Sequence, residues 1–210
     1  SREEVKEFRG VAATLNYMSL DGPDLQFPIK EVTRQMAKPR KGRWRAVKKI
    51  ARYLLNREGV VWKYAWQEEV GTSYVASDSD WGGNLRTRKS TSGGAWMIGT
   101  HCIKTWSGAQ GPYALSSGEA ELYGLVEGVT RAKGLISLAK ELGFEKLETV
   151  VELGRDSSAA KNFVTRRGLG RLRHLESRDL WLQREVREGR VNVHKMPATS
   201  NPVKERRKEK

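Results

Sequence analysis

The sequence predicts an α/β fold: a mixed five-stranded sheet with flanking helices, preceded by a small helical segment. Three observations point to it. Residues 1–58 repeat apolar side chains at helical spacing and carry many Lys and Arg. From residue 60 the pattern changes to short aromatic and aliphatic runs bounded by Gly, Asp and Thr, which read as strands. A long helical stretch then separates the early strands from two later ones. Strands joined by short turns pair antiparallel, whereas a strand returning after a long helix pairs parallel, so the sheet is mixed.

The elements follow in order. Val5, Phe8, Val11, Ala12, Leu15 and Met18 predict a helix over 3–20, and Asp21-Gly22-Pro23-Asp24 predicts a turn. A second helix is expected over 25–37, with Pro28 in its first turn, where a missing N–H costs nothing. Trp44, Val47, Ile50, Ala51, Leu54 and Leu55 form one face of a third helix, with Arg45, Lys48, Lys49 and Arg52 elsewhere, and Gly59 is expected to end it. Residues 60–66 read as strand-like, as do 72–78. Residues 94–98 and 101–106 form a hairpin across Gly99-Thr100. Leu122, Leu125, Val126, Val129, Ala132 and Ile136 predict a helix over 118–142, capped by Gly143. Then come a strand over 149–153, a helix over 157–164, a helix over 172–188 and a strand over 191–196. The division is a helical segment, 1–66, and a sheet domain, 67–210. Trp62, Trp66, Trp81, Trp96 and Trp106 are expected mainly in the core.

Charge and composition narrow the function classes. The chain has 210 residues with 39 Lys plus Arg against 25 Asp plus Glu, a net charge of +14. This excess favours an anionic partner, nucleic acid before membrane. The single cysteine, Cys102, excludes an internal disulfide framework and a cysteine-based zinc site. An intracellular, reducing compartment fits this. No apolar stretch is long enough to span a membrane, and no signal peptide is visible. The histidines are too widely spaced for a metal cluster. No nucleophile elbow, Walker A or dinucleotide fingerprint is present.

The carboxylates fit a different chemistry. Phosphodiester hydrolysis often uses two divalent metals about 4 Å apart, held by acids that converge from strand ends and helix starts. Asp78 and Asp80 end a strand on one face before Trp-Gly-Gly, although Asp in that setting also simply makes a turn. Glu119 and Glu121 begin the long helix, where acids also compensate the helix dipole. Glu121 lies one turn before Leu125 and borders the buried stripe, whereas Glu119 is expected to point well away from it. Asp156 follows a strand and also suits an N-cap.

Six blocks in order carry a resemblance. They are Tyr74 to Gly83 with its Asp-Ser-Asp-Trp-Gly-Gly, Arg88-Lys89-Ser90-Thr91-Ser92-Gly93, and Trp106-Ser107 with Ala114 to Leu122. Arg155 to Ala160, Arg173 to Arg178 with Arg184-Glu185, and the helical stretch Phe8 to Tyr64 complete them. Together they resemble the C-terminal part of copia-class LTR retrotransposon Pol polyproteins: a thumb- or connection-like reverse transcriptase tail followed by a ribonuclease H domain. The resemblance implies a ribonuclease H-like fold and metal-dependent hydrolysis of the RNA strand of an RNA/DNA hybrid. It implies two Mg²⁺ or Mn²⁺ ions held by Asp78, Glu121 and Asp156, with Asp80 or Glu205 as additional ligands. Arg45, Lys48, Lys49, Arg52, Arg88 and Lys89 would meet nucleic acid, and the reverse transcriptase portion of the polyprotein would be a partner.

One departure matters. The family closes with Asn-Pro-Ala-Asp on a final helix, and this chain reads Asn201-Pro202-Val203-Lys204-Glu205. An ammonium where a metal-binding carboxylate is expected weakens one metal site, and the closing helix is truncated or altered. The rival expectation is therefore a catalytically impaired relic that binds nucleic acid without cleaving it.

Overall fold

Helix α1 (Arg2–Met18) forms because Phe8, Ala12 and Leu15 recur every three to four residues and are buried together. Helix α2 (Gln26–Thr33) carries Pro28 as its third residue. It stops short of the expected residue 37, and Arg9 of α1 donates to the carbonyls of Met36 and Ala37 at 2.7 and 3.0 Å. Helix α3 (Arg43–Leu55) buries Val47 and Ile50 and leaves Arg45, Lys48, Lys49 and Arg52 exposed. The three helices share one core of Phe8, Ala12, Leu15, Leu25, Ile29, Val32, Val47 and Ile50. Phe8 and Trp44 meet edge to face at 5.7 Å, and the Tyr53 hydroxyl donates to Asp24 at 2.5 Å. These helices belong to the first of two compact units, Ser1–Lys63 and Tyr64–Lys210. The computed structural model describes residues 2–40, 42–57, 59–68, 71–155, 158–168 and 177–195. None of its described helices is long and apolar enough to cross a membrane.

The strand expected over 60–66 does not form. No strand among the described residues pairs with this stretch, and Val61 is 93% exposed. Within the second unit, residues 64–67 instead dock by side chains on a hairpin turn. His101 Nε2 lies 2.7 Å from the Ala65 carbonyl, and Gln67 Oε1 accepts from the Thr100 N–H and hydroxyl at 3.0 and 2.9 Å.

The second unit is a five-stranded sheet in the order β3-β2-β1-β4-β5. Its strands are β1 (Ser73–Ser79), β2 (Thr91–Ile98), β3 (His101–Ala109), β4 (Val151–Arg155) and β5 (Val191–Lys195). Strands β1, β2 and β3 pair antiparallel, whereas β4 and β5 run parallel to β1. This is the mixed sheet expected from the connection lengths. Gly99, at φ +57°, makes the tight β2–β3 turn at the predicted place. Helix α4 (Ser117–Glu141) crosses the sheet, and Gly143 follows it at φ +93°, a left-handed cap that Gly adopts without strain. Helices α5 (Ser158–Thr165) and α6 (Ser177–Arg187) complete the unit. Its core gathers Val75, Trp96, Trp106, Leu122, Leu125, Val129, Ile136, Leu153, Phe163, Leu182 and Val191.

Two glycines set how closely α4 lies on β1. A Cβ on Gly124 would fall 3.3 Å from Ser77 Oγ, and one on Gly128 would fall 3.1 Å from Val75 Cγ1. Ser77 Oγ donates to the Gly124 carbonyl at 2.8 Å, which satisfies a buried hydroxyl between helix and strand.

Candidate active site

The sequence of contacts between α4 and β1 fixes where the carboxylates go. Gly128 lies over Val75 and Ser77, and Gly124 lies over Ser77 and Ser79. Moving toward the start of α4 therefore means moving toward the end of β1. Glu121 is one turn before Gly124 on the same helical face, so it is carried to the C-terminal end of β1. Asp78 occupies that end. Both residues are half-buried, and Asp78 Oδ2 and Glu121 Oε2 are shielded from solvent. Asp78 Oδ1 accepts the Ser79 backbone N–H at 2.9 Å.

Strand alternation adds a detail that the sequence reading missed. Val75, Ser77 and Ser79 face α4, so Asp78 shares the other face with Tyr74 and Ala76. The two carboxylates thus approach the strand end from different sides. Strand β4 lies beside β1 in parallel, with Ala76 opposite Gly154. Asp156 follows β4 in the chain and lies outside the described residues, as do Lys204 and Glu205. Among the described residues no group of three or more His, Cys, Asp or Glu forms a metal-holding cluster.

The acid just past β1, Asp80, has a clear local task. Asp80 Oδ1 accepts the Thr91 N–H at 2.6 Å, and its own N–H donates to the Thr91 carbonyl at 3.0 Å. Its carboxylate also fills the space beside Gly83, where a Cβ would fall 2.2 Å from Asp80 Oδ2. Asp80 thereby closes the loop between β1 and β2. Ser90 supports the same loop, accepting the Gly82 N–H at 3.0 Å.

Glu119, expected to point away from the buried stripe, is only 1% exposed. It stands three residues before Leu122, so it lies on the buried side after all. Its carboxylate accepts the Tyr123 hydroxyl at 2.6 Å and the Leu115 N–H at 2.8 Å, while its own N–H donates to Ser116 Oγ at 3.2 Å. Ser116-x-x-Glu119 has the spacing of a capping box, a signal present in the sequence. Gln110 braces the same corner, donating to Ser92 Oγ at 2.9 Å and the Ala120 carbonyl at 2.7 Å.

The basic residues fall into two groups. Arg45, Lys48, Lys49 and Arg52 recur three and four residues apart on the solvent side of α3, a continuous cationic stripe of the first unit. In the second unit Arg88 is exposed and holds a positive φ of 54° in the β1–β2 loop. Lys89 is partly committed, donating to the Gly111 carbonyl at 2.8 Å and lying 5.3 Å from the centre of the Tyr113 ring. The tryptophans divide as well: Trp96 and Trp106 are buried, whereas Trp81 and Trp66 are not core residues, Trp66 being 87% exposed.

No protein-family model matches the chain. Curated relatives do. The Retrovirus-related Pol polyprotein from transposon TNT 1-94 of Nicotiana tabacum is 28% identical over 195 residues, 92% of this chain. That from transposon RE2 of Arabidopsis thaliana is 29% identical over 141 residues, 66% of this chain. The chain spans only 14% and 10% of those two proteins. Among solved structures, the foamy viral protease-reverse transcriptase in complex with RNA/DNA hybrid is matched over 94% of this chain and 26% of that one. Its TM-score is 0.53 at 14% identity. The N-terminal RNase H domain of a Mycobacterium tuberculosis protein, solved as a fusion with maltose binding protein, is matched over 62% of this chain and 85% of that one, with a TM-score of 0.39 at 16% identity. The chain is similar in sequence to a part of the retrovirus-related Pol polyproteins of transposons, and in fold to a part of the foamy viral protease-reverse transcriptase.

Proposed function

We propose that the second unit hydrolyses the RNA strand of RNA/DNA hybrids in a divalent-metal-dependent reaction. The observation that supports this is the packing of Gly124 on Ser77 and Ser79, from which Glu121, one helical turn earlier, is inferred to fall toward the end of β1. Two carboxylates with shielded oxygens from different elements would offer an all-oxygen donor set, which suits Mg²⁺ or Mn²⁺ rather than a soft metal. Asp78, Glu121 and Asp156 would hold two ions. Ions held there would supply a more acidic water and offset charge on the leaving oxygen. In the net reaction a water oxygen bonds to phosphorus and the P–O3′ bond breaks. The products are a 5′-phosphate and a 3′-hydroxyl.

The substrate half of the reading rests on charge. The α3 stripe and the exposed Arg88 supply cations for phosphates, and the net charge of +14 favours a polyanion. A hybrid is distinguished from DNA by the 2′-hydroxyls of its RNA strand. In the full polyprotein the reverse transcriptase portion would be the working partner, and the first unit would be its tail.

The rival is a relic that binds without cleaving. Lys204, standing where the family motif has its fourth acid, is the observation that favours it. End-group analysis of a labelled hybrid separates the two. The enzyme reading expects RNA fragments ending in 3′-hydroxyl and 5′-phosphate, with the DNA strand untouched. Binding without fragments, followed by cleavage in Lys204→Asp, supports the rival.

A further inference from the structure

Three residues beyond Asp78, the chain exposes side chains that the reaction just described does not use. Trp81 is 58% exposed, and so is Tyr113. Leu115 is exposed beside them. Large apolar side chains at solvent cost free energy unless something covers them. Yet neither ring is loose. The Trp81 indole N–H donates to the Ala114 carbonyl at 3.0 Å, which pins it next to Tyr113 in the chain. Lys89 holds Tyr113 from the other loop, sitting 5.3 Å over its ring and donating to Gly111. The 114–115 turn is fixed in turn by the buried Glu119.

The charges around these rings are sorted. Asp80 of the first loop and Glu119 at the start of α4 are turned inward, to the Thr91 N–H and the Leu115 N–H. What faces out is aromatic and cationic: Trp81 and Tyr113 with Arg86 and Arg88. That pairing of ring and cation matches a base with its phosphate. Within a duplex the base faces are already stacked on one another. A fixed, exposed ring therefore finds its partner in an unpaired base.

We propose that Trp81 and Tyr113 form a stacking platform for an unpaired nucleobase, so that the second unit prefers a hybrid bearing a single-stranded extension over a blunt one. This rests on the reading of the unit as a hybrid-binding domain. The experiment measures affinity by fluorescence anisotropy in EDTA, so that nothing is cut. The probes are a blunt RNA/DNA hybrid and the same hybrid with a short oligothymidine tail on either end of its DNA strand. The tailed hybrid should bind on the order of ten-fold tighter than the blunt one, the usual effect of one or two stacked bases. Tyr113→Ala and Trp81→Ala should remove that gain and leave blunt-hybrid affinity unchanged, while Tyr113→Phe should retain it. Circular dichroism shows whether each variant is folded, and Tyr113→Ala, which removes no hydrogen bond to the backbone, carries the test if Trp81→Ala is not. Blunt-hybrid binding with no gain from a tail overturns the platform alone. Loss of blunt-hybrid binding in Tyr113→Ala also overturns it, because the ring would then serve the duplex. Absence of binding to either hybrid by the wild-type chain sinks the functional reading together with the platform.

Discussion

Glu119 accepts the hydroxyl of Tyr123 one turn along α4, at 2.6 Å, and the two acids at the start of that helix therefore have different tasks. Glu119 is a buried structural acceptor, and Glu121 is the acid proposed to hold metal with Asp78. Replacing Glu119 by Ala strands a hydroxyl and the Leu115 N–H, at a cost of about 2–3 kcal/mol. Glu121→Gln should leave stability within about 0.5 kcal/mol of the wild type and abolish cleavage. Thermal melts and hybrid cleavage on both variants check this. A destabilised Glu121→Gln beside an unaffected Glu119→Ala would reverse the assignment.

The Trp106 ring lies across Gly94, its directly opposed partner on β2, and a Cβ on Gly94 would fall 2.1 Å from Trp106 Cζ2. A side chain there must expel a buried ring. Gly94→Ala should cost about 2–4 kcal/mol and lower the melting temperature. A melt indistinguishable from the wild type would show that the ring has room to move.

Glu185 ties α6 to its surroundings. It bonds Arg190 in two places, at 2.6 and 2.9 Å, and also pairs with Lys133 of α4. The Arg190 guanidinium, helped by Lys133, holds this carboxyl down to about 2 against the opposing effect of its burial. A depressed carboxylate stabilises the fold above its unfolded pKa near 4.5 and loses that contribution as pH falls toward about 2. The contribution is on the order of 1–3 kcal/mol. Acid unfolding of Glu185→Gln should show a flatter loss of stability between those pH values than the wild type. Parallel curves would remove Glu185 from the account.

The α3 stripe should act on phosphates without regard to sequence. Lys48→Ala with Lys49→Ala should weaken hybrid binding and make its dependence on log salt shallower by about 1–2, since each lost phosphate contact removes about 0.7–0.9 from the slope. Weaker binding at an unchanged slope would place these residues outside the contact.

Periodicity and connection length were enough to read the sheet's mixed pairing, the Gly99 turn and the Gly143 cap. They failed where an outcome depends on a distant partner. Residues 60–66 have strand composition, yet a strand needs a neighbour with free backbone groups, which local pattern does not report. Trp66 and Trp81 have core chemistry but sit in loops. Glu119 was legible through its Ser116 spacing, and its position three residues before Leu122 outweighs the distance from Leu125. Asp78 and Glu121 stand at a strand end and in a helix's first turns, as expected, because those are local features. The loop-closing role of Asp80 depends on Thr91, eleven residues on, and is visible only in three dimensions.

In the proposed reaction Asp78 works with a divalent metal to cut RNA paired with DNA. The most direct measurement incubates the chain with a labelled hybrid at low salt, in Mg²⁺, Mn²⁺ or EDTA, beside Asp78→Asn. The account predicts loss of the RNA strand with either metal, none in EDTA and none in Asp78→Asn. Tight binding with an intact RNA strand under both metals, or cleavage undiminished in Asp78→Asn, would contradict it.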